Sequence, residues 1–106
     1  MAAITGTLAS NNMILGKAAG TKQITVTATL TSASDTITLT KATHGIRSIT
    51  GIVGAAITGG ADANFCILQV SGVGGLVLTV VSLGADGAAA TDWTGATISI
   101  TVVGTV

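Results

Sequence analysis

The feature that most limits how this chain can fold is a strict alternation of apolar and hydroxyl side chains that begins at Gln23. Every second position is apolar and threonine fills the positions between. The apolar positions are Ile24, Val26, Ala28 and Leu30, and they alternate with Thr25, Thr27, Thr29 and Thr31. Side chains of a β-strand point alternately to the two faces of a sheet, and branched threonine suits extended backbone. The pattern therefore predicts a half-buried strand with one apolar face and one hydroxyl face.

Turn residues separate further segments with the composition of strands. Residues 32–35 indicate a turn, and residues 36–40 alternate again after it. The strand before the turn and residues 36–40 therefore predict a hairpin. The other predicted strands cover residues 46–57, 64–71, 76–83 and 96–103. Gly51 and Gly54 lie inside a predicted strand and indicate a bulge or the close approach of another backbone.

The spacing of these strands predicts the fold class and the domain organisation. Strands that recur roughly every 10–15 residues without a helical pattern are typical of a small β-sandwich or a jelly-roll-like barrel. We therefore expect an all-β fold of about six to eight strands with an extended N-terminal arm. The arm covers residues 1–22, which are rich in glycine and asparagine, and the β-sandwich domain covers residues 23–106.

Charged residues are too few to cover the surface of a free monomer. They make up 8% of the 106 residues, where about 25% is usual, and the mean hydropathy is +0.80. Nineteen threonines supply uncharged hydroxyl groups instead. We therefore expect a partner, further copies or a threonine surface to cover the molecule, and we expect no binding to nucleic acid, because that requires clustered Lys and Arg.

Signals for export and for membrane insertion are missing from the sequence. The first residues have no basic segment followed by an apolar one, and no run of 18 or more apolar residues is unbroken. We therefore expect synthesis in a cytoplasm and no membrane-spanning helix. The single cysteine, Cys66, lies in an apolar run, which predicts a buried side chain.

Residues that could carry out chemistry are sparse. The only histidine, His44, would need an acid as a catalytic base, and Asp35 is the nearest in sequence, but its place beside Gly45 favours an exposed loop histidine. Cys66, His44 and the four aspartates show no metal-ligand spacing. Residues 72–75 lack the lysine of a phosphate-binding loop and predict a hairpin turn. We therefore predict no catalytic, cofactor-binding or metal site.

Two apolar features are candidate interface residues. Met13, Ile14 and Leu15 form the apolar part of the arm. Trp93, the only tryptophan, precedes the last predicted strand, where it is either a core residue at the end of the sandwich or an anchor in an interface.

The order of these features resembles the small decoration, or cement, proteins of tailed-bacteriophage capsids. The resemblance is carried by the glycine-rich arm, the threonine-rich strand of residues 23–30, the β region interrupted by glycines, the Thr91-Asp92-Trp93 loop and the final strand of residues 96–104. The chain has fewer charged and aromatic residues than many such proteins.

The resemblance implies a structural virion protein without enzymatic activity on the capsid surface. Such a protein would bind the outer surface of the major capsid protein as a homotrimer at local three-fold positions. Its arm would reach across neighbouring subunits, and it would reinforce the shell against the pressure of the packaged DNA.

Other functions fit parts of the same pattern. The chain could be another phage component of the tail, baseplate or head fibre, or a self-assembling β filament, which the apolar residues 76–81 favour. A carbohydrate-binding module would have only Phe65 and Trp93 as aromatic platforms. An ice-binding module would use the threonines of residues 25–29 and 36–40 on one flat surface, which the twist of sheets opposes.

Overall fold

The alternating segments form strands in the computed structural model, which describes residues 2–14, 20–32, 34–59, 66–84 and 95–106. Eight strands and one short helix follow in chain order: β1 (Ala2–Ile4), β2 (Thr7–Ile14), β3 (Thr21–Thr29), β4 (Ser34–Thr38), α1 (Lys41–His44), β5 (Ser48–Gly59), β6 (Cys66–Ser71), β7 (Val77–Gly84) and β8 (Thr97–Thr105). The all-β fold predicted from the sequence is confirmed.

The strands form two four-stranded sheets. The first sheet has the order β1-β4-β7-β6 and the second has the order β2-β3-β8-β5. Only the pairing of β1 with β4 is parallel among the described strands. The predicted hairpin turn after β6 is confirmed, because β6 and β7 pair and Gly72 and Gly74 have φ angles of 134° and 97°, which favour glycine.

The apolar faces of the two sheets form the core of a β-sandwich. Ile24, Ile98 and Ile100 of the second sheet are fully buried and belong to one apolar cluster with Ile37 and Leu78 of the first. Full burial of side chains of this size contributes roughly 1.5–3 kcal/mol each. The period-two pattern therefore placed these residues on the correct face of their strands.

The predicted hairpin between residues 23–31 and 36–40 is wrong. The first segment is β3 of the second sheet and the second is β4 of the first, so the chain crosses the sandwich between them. Alternation specifies which face of a strand is buried, whereas the neighbouring strand is chosen by contacts distant in sequence. The threonines of β3 and β4 therefore do not share one surface, contrary to the expectation for an ice-binding module.

Residues 2–14 of the predicted arm contribute one strand to each sheet. β1 pairs with β4 and β2 pairs with β3, and Gly6 lies at the crossing between them. A Cβ atom at Gly6 would lie 2.6 Å from Cγ1 of Val26, so only glycine can pass this close to the core. The reach of the arm across neighbouring subunits stays a prediction.

The predicted loop after β4 contains a single helical turn, α1. The Thr40 side chain accepts a hydrogen bond from the Thr43 N–H at 3.2 Å, and Gly45 ends the turn with a φ of 82°. A threonine N-cap and a left-handed glycine are ordinary helix ends, but four residues are too few to show a helical period. This turn, the only helix among the described residues, is too short to cross a membrane.

Candidate interaction surface

The outward face of the second sheet carries two paired rows of hydroxyl groups, which we call the hydroxyl face. Its residues are Thr25, Thr27 and Thr29 of β3 and Thr101, Ser99 and Thr97 of β8, which pair in that order. The Oγ1 atoms of Thr25 and Thr101 are 3.1 Å apart and share a hydrogen bond. All six side chains are partly or fully exposed. The sequence alternation therefore produces a polar surface without charge.

Small residues of β5 extend the hydroxyl face to the edge of the sheet. Gly54, Ala56 and Gly59 pair with Thr101, Ser99 and Thr97. At this corner Thr97 Oγ1 donates to the Gly59 carbonyl oxygen at 3.2 Å. Because these β5 residues have little or no side chain, the backbone of β5 is accessible beside the hydroxyl rows.

The outward face of the first sheet mixes hydroxyl and apolar side chains. Thr36 of β4 pairs with Thr79 of β7, and Thr38 pairs with Val77, which is 45% exposed. The neighbouring strand β6 adds Ser71 opposite Thr79. Among the residues that the structure describes, neither outward face carries a charged side chain.

The described positive charges lie together at the end of the sandwich that holds α1. Lys41 begins α1. The Nζ atom of Lys22 lies beside Gly45, at 2.6 Å from the position that a Cβ atom on Gly45 would occupy. The backbone N–H of Arg47 donates to the Thr105 carbonyl oxygen at 2.6 Å. Lys41 and Arg47 are exposed. The three cationic side chains that the structure describes are therefore at one end of the sandwich, away from both sheet faces.

His44 is buried on α1, and the prediction of an exposed loop histidine is wrong. The side chain is 4% exposed. Its Nδ1 accepts a hydrogen bond from the Thr40 N–H at 2.9 Å, and its Nε2 lies 2.7 Å from the Gly6 carbonyl oxygen. A carbonyl oxygen only accepts, so Nε2 carries the proton and the ring is neutral. Both ring nitrogens are thus used to join α1 to the crossing between β1 and β2.

Asp35, considered as an acid partner for His44, lies at the other end of β4. It is fully buried and accepts hydrogen bonds from the Thr31 N–H at 2.9 Å and the Ser32 hydroxyl at 2.6 Å, with further bonds from the Thr31 hydroxyl and the Ser32 N–H. Burial raises the pKa of this carboxyl and is the largest single influence. The hydrogen bonds from Ser32 and Thr31 together outweigh burial, so the pKa of Asp35 lies below its usual value.

Two open depressions flank the crossing at Thr5 and Gly6. The larger, of about 450 Å³, is lined mainly by threonines, among them Thr7, Thr27 and Thr29. The smaller, of about 370 Å³, reaches His44, whose ring nitrogens already have partners. Within the described ranges, no group of three or more His, Cys, Asp or Glu side chains could hold a metal ion. These depressions therefore offer hydroxyl groups but no ionised group to a ligand.

The structure describes only some of the predicted interface residues. Met13 and Ile14 belong to β2, and Leu15 and Trp93 lie outside the described residues. Cys66 begins β6, and its predicted burial stays a prediction. The sequence did not identify β5 as a sheet edge, although Gly51 and Gly54 indicated bulges, which are confirmed by register shifts at both glycines.

Comparisons of the chain with protein-family models, with curated proteins and with solved structures found no significant match.

Proposed function

We propose that this chain is a structural virion protein that decorates the outer surface of a major capsid protein and stabilises the shell. The proposal includes assembly of the chain with further copies, as a homotrimer in the arrangement that the resemblance implies, and no enzymatic activity. Its place of action would be the capsid surface, after synthesis in the host cytoplasm.

The observation that carries this proposal is the uncharged outward surface of both sheets. Both outward faces carry hydroxyl and apolar groups but no charge among the described residues. Examples are Thr25 and Thr101 on the second sheet and Thr36 and Val77 on the first. A protein surface that becomes covered on assembly is depleted in charged residues at its centre. A sheet face of this kind is suited to permanent contact with another protein.

The structural roles of His44 and Asp35, two buried polar residues that the structure describes, also support a non-enzymatic function. The His44 nitrogens bind backbone groups of Thr40 and Gly6, and the carboxylate of Asp35 binds Thr31 and Ser32. Each of these groups would have to break a hydrogen bond that holds the fold before it could take a proton from a substrate.

Repeated contacts would make a weak docking surface effective on a shell. A capsid presents many identical sites, and a trimer engages several of them at once, so modest single affinities are multiplied by valency. Because hydroxyl and apolar contacts depend little on ionic strength, we expect binding that persists in high salt, in contrast to binding through surface charges.

Cosedimentation with expanded shells of candidate major capsid proteins tests the proposal. We expect the purified chain to pellet with the cognate shell up to a fixed number of copies per capsid, and to raise the temperature at which the shell releases its contents. Binding that disappears in high salt, or absence of binding to every shell tested, would contradict the proposal.

Matched substitutions show which sheet docks. Thr101→Lys places a charge on the hydroxyl face and Thr79→Lys places one on the outward face of the first sheet. Both residues are half-buried in their strands, so each serves as the control for the other. We expect one of the two variants to lose shell binding and the other to retain it.

A second candidate function, binding to ice or to a polysaccharide, is favoured by the regular hydroxyl face alone. Thr25, Thr27 and Thr29 pair in register with hydroxyl residues of β8. Thermal hysteresis and retention on polysaccharide resins would test it, with Thr27→Val as the variant that removes one hydroxyl without changing side-chain shape.

A further inference from the structure

The second sheet ends in a long edge strand without charge or proline, and among the described residues the turn between β6 and β7 covers it only at Ile49, whose N–H donates to Gly75 and whose carbonyl oxygen accepts from Gly74. β5 has 12 residues and is hydrogen-bonded to a strand on one side only, β8. Natural edge strands are protected by charge, by proline, by shortness or by bulges. The chain contains no proline, and residues 48–59 contain no charged side chain.

The other three described edges are shorter than β5. The edges of the first sheet are β1, with three residues, and β6, with six. The far edge of the second sheet, β2, has eight residues. β5 also carries Val53, which at 62% is the most exposed large apolar side chain among the described residues.

Bulges protect part of β5 but leave its centre regular. The pairing with β8 shifts register between Ile52 and Gly54 and again between Ile57 and Gly59. Bulges twist an edge and interrupt its pairing. Between them, residues 54–57 pair with β8 in unbroken register, and Gly54, Ala55 and Ala56 are all exposed. A regular stretch of extended backbone with small side chains is therefore accessible.

This stretch is complementary to itself. In an antiparallel pair, residues directly opposite each other point to the same face. A two-fold axis through Ala55 sets Ala55 opposite Ala55 of a second copy, and Gly54 opposite Ala56. Gly54 and Ala56 both belong to the outward face, where they pair with Thr101 and Ser99. The register therefore matches faces correctly, places small residues at its centre and sets Val53 opposite Ile57 of the second copy.

Charge also favours a second copy in the antiparallel direction. Arg47 precedes β5 directly and is exposed. A parallel pair of β5 strands would bring two Arg47 side chains together, whereas the antiparallel pair places them at opposite ends of the joined strands. Like charges are separated in this arrangement, and residues 48–59 bring no charged side chain into the contact.

We propose that the edge of β5 binds β5 of a second copy of this chain, antiparallel about a two-fold axis through Ala55. The two second sheets then form one continuous eight-stranded sheet with the hydroxyl faces on the same side. Such an isologous contact joins copies in pairs, so it is independent of the homotrimer proposed above and would link copies of neighbouring trimers.

Sedimentation equilibrium of the full chain over a concentration series tests this proposal. We expect a reversible step that joins two chains or two trimers, and we expect Val53→Lys to weaken it at least about tenfold because it adds charge to the edge. Val73→Lys is the matched control, since Val73 is 60% exposed but lies in the turn between β6 and β7. Circular dichroism and thermal unfolding establish that both variants are folded.

Crosslinking tests the register independently of affinity. In a Cys66→Ala background, Ala55→Cys places two thiols across the two-fold axis, where opposite Cα atoms are about 4.5–5.5 Å apart, within disulfide range. We expect rapid formation of a disulfide-linked dimer on mild oxidation. Ala56→Cys, which faces Gly54 of the second copy, and Val73→Cys, which lies in the turn, should crosslink only slowly.

Three results would overturn the β5 contact. They are a chain that stays monomeric throughout the series, an oligomer that Val53→Lys leaves unchanged, and equal crosslinking by the three cysteine variants. A trimer insensitive to Val53→Lys would overturn this contact while leaving the proposed homotrimer intact. A dimer crosslinked through Ala55→Cys that binds no shell would keep the contact and contradict the decoration function.

Discussion

Two buried polar side chains hold the chain at its passages between the sheets, and they do so over different distances in sequence. Asp35 binds Thr31 and Ser32, four and three residues away, where the chain passes from β3 to β4. His44 binds Gly6, 38 residues away, where the chain passes from β1 to β2. The first side chain is an ion with several local donors, and the second is a neutral ring between two distant segments.

Because of this difference, loss of Asp35 and loss of His44 should affect different parts of the fold. All described partners of Asp35 lie within one turn, so its hydrogen bonds stabilise the connection between β3 and β4. The bond from His44 to Gly6 instead holds residues 2–14 against the rest of the sandwich. We therefore expect loss of Asp35 to lower the stability of the whole fold, and loss of His44 to release the N-terminal strands first.

The largest effect is expected for Asp35→Ala, which leaves the N–H groups of Thr31 and Ser32 without their acceptor. Hydrogen bonds to a charged group contribute about 1.5–3 kcal/mol, and unsatisfied donors add to the loss. We expect the free energy of unfolding to fall by about 2–4 kcal/mol in urea denaturation. Ser34→Ala, a change on the outward face of the same strand, is the control and should change it by less than about 0.5 kcal/mol. An equally small effect of Asp35→Ala would contradict the role of this turn.

His44→Leu should have the next largest effect. It keeps an apolar side chain in the buried position but leaves the Gly6 carbonyl oxygen and the Thr40 N–H without partners, at a cost of about 1–3 kcal/mol. Hydrogen exchange should increase most in residues 2–14, which distinguishes this variant from Asp35→Ala. Thr43→Ala, at an exposed position of α1, is the control. Uniform acceleration of exchange over the chain would show that His44 does not anchor the N-terminal strands specifically.

Acid should weaken the hydrogen bonds of the Asp35 turn. The pKa of Asp35 is lowered in the folded protein, so its stabilising contribution is complete above the unfolded carboxyl pKa of about 3.9. That contribution is lost as the pH falls through the lower folded pKa. Urea midpoints measured from about pH 5 downward should fall more steeply for the natural chain than for Asp35→Asn. Parallel curves for the two proteins would contradict the lowered pKa.

Thr40→Ala should have the smallest effect and sharpens the interpretation of His44. The substitution removes the N-cap hydroxyl that accepts from the Thr43 N–H, but it keeps the backbone N–H that His44 binds. Loss of an N-cap costs about 1 kcal/mol. We expect that loss in thermal unfolding without faster exchange in residues 2–14. If exchange there rises as much as in His44→Leu, the helical turn itself, rather than the ring, holds the N-terminal strands.

The local features of the fold could be predicted from the sequence, and the distant ones could not. The alternation from Ile24 onward identified a strand and its buried face, and the glycines of residues 72–75 identified a hairpin turn. The pairing of β3 with β8 rather than β4 depends on contacts between residues about 70 positions apart, since Thr29 pairs with Thr97. No short pattern contains that information.

The candidate site shows the same limit. Scarcity of charge indicated a surface made for assembly, and the structure identifies the faces and the edge where charge is missing among its described residues. The edge position of β5 follows only from the strand order. The sequence could therefore predict a bulge at Gly54 but could not indicate which strand lies beside it. Burial of His44 was missed because its partner, Gly6, lies 38 residues away.

The central position of β8 has a consequence for the synthesis of this protein. β8 follows both of its neighbours, β3 and β5, in the chain and separates them in the sheet. A nascent chain on the ribosome therefore cannot complete the second sheet until its last strand has emerged from the exit tunnel, and the apolar faces of β3 and β5 are uncovered until then. We expect the second sheet to form only after β8 has emerged, with high expression producing inclusion bodies that a slower translation rate or a chaperone would reduce.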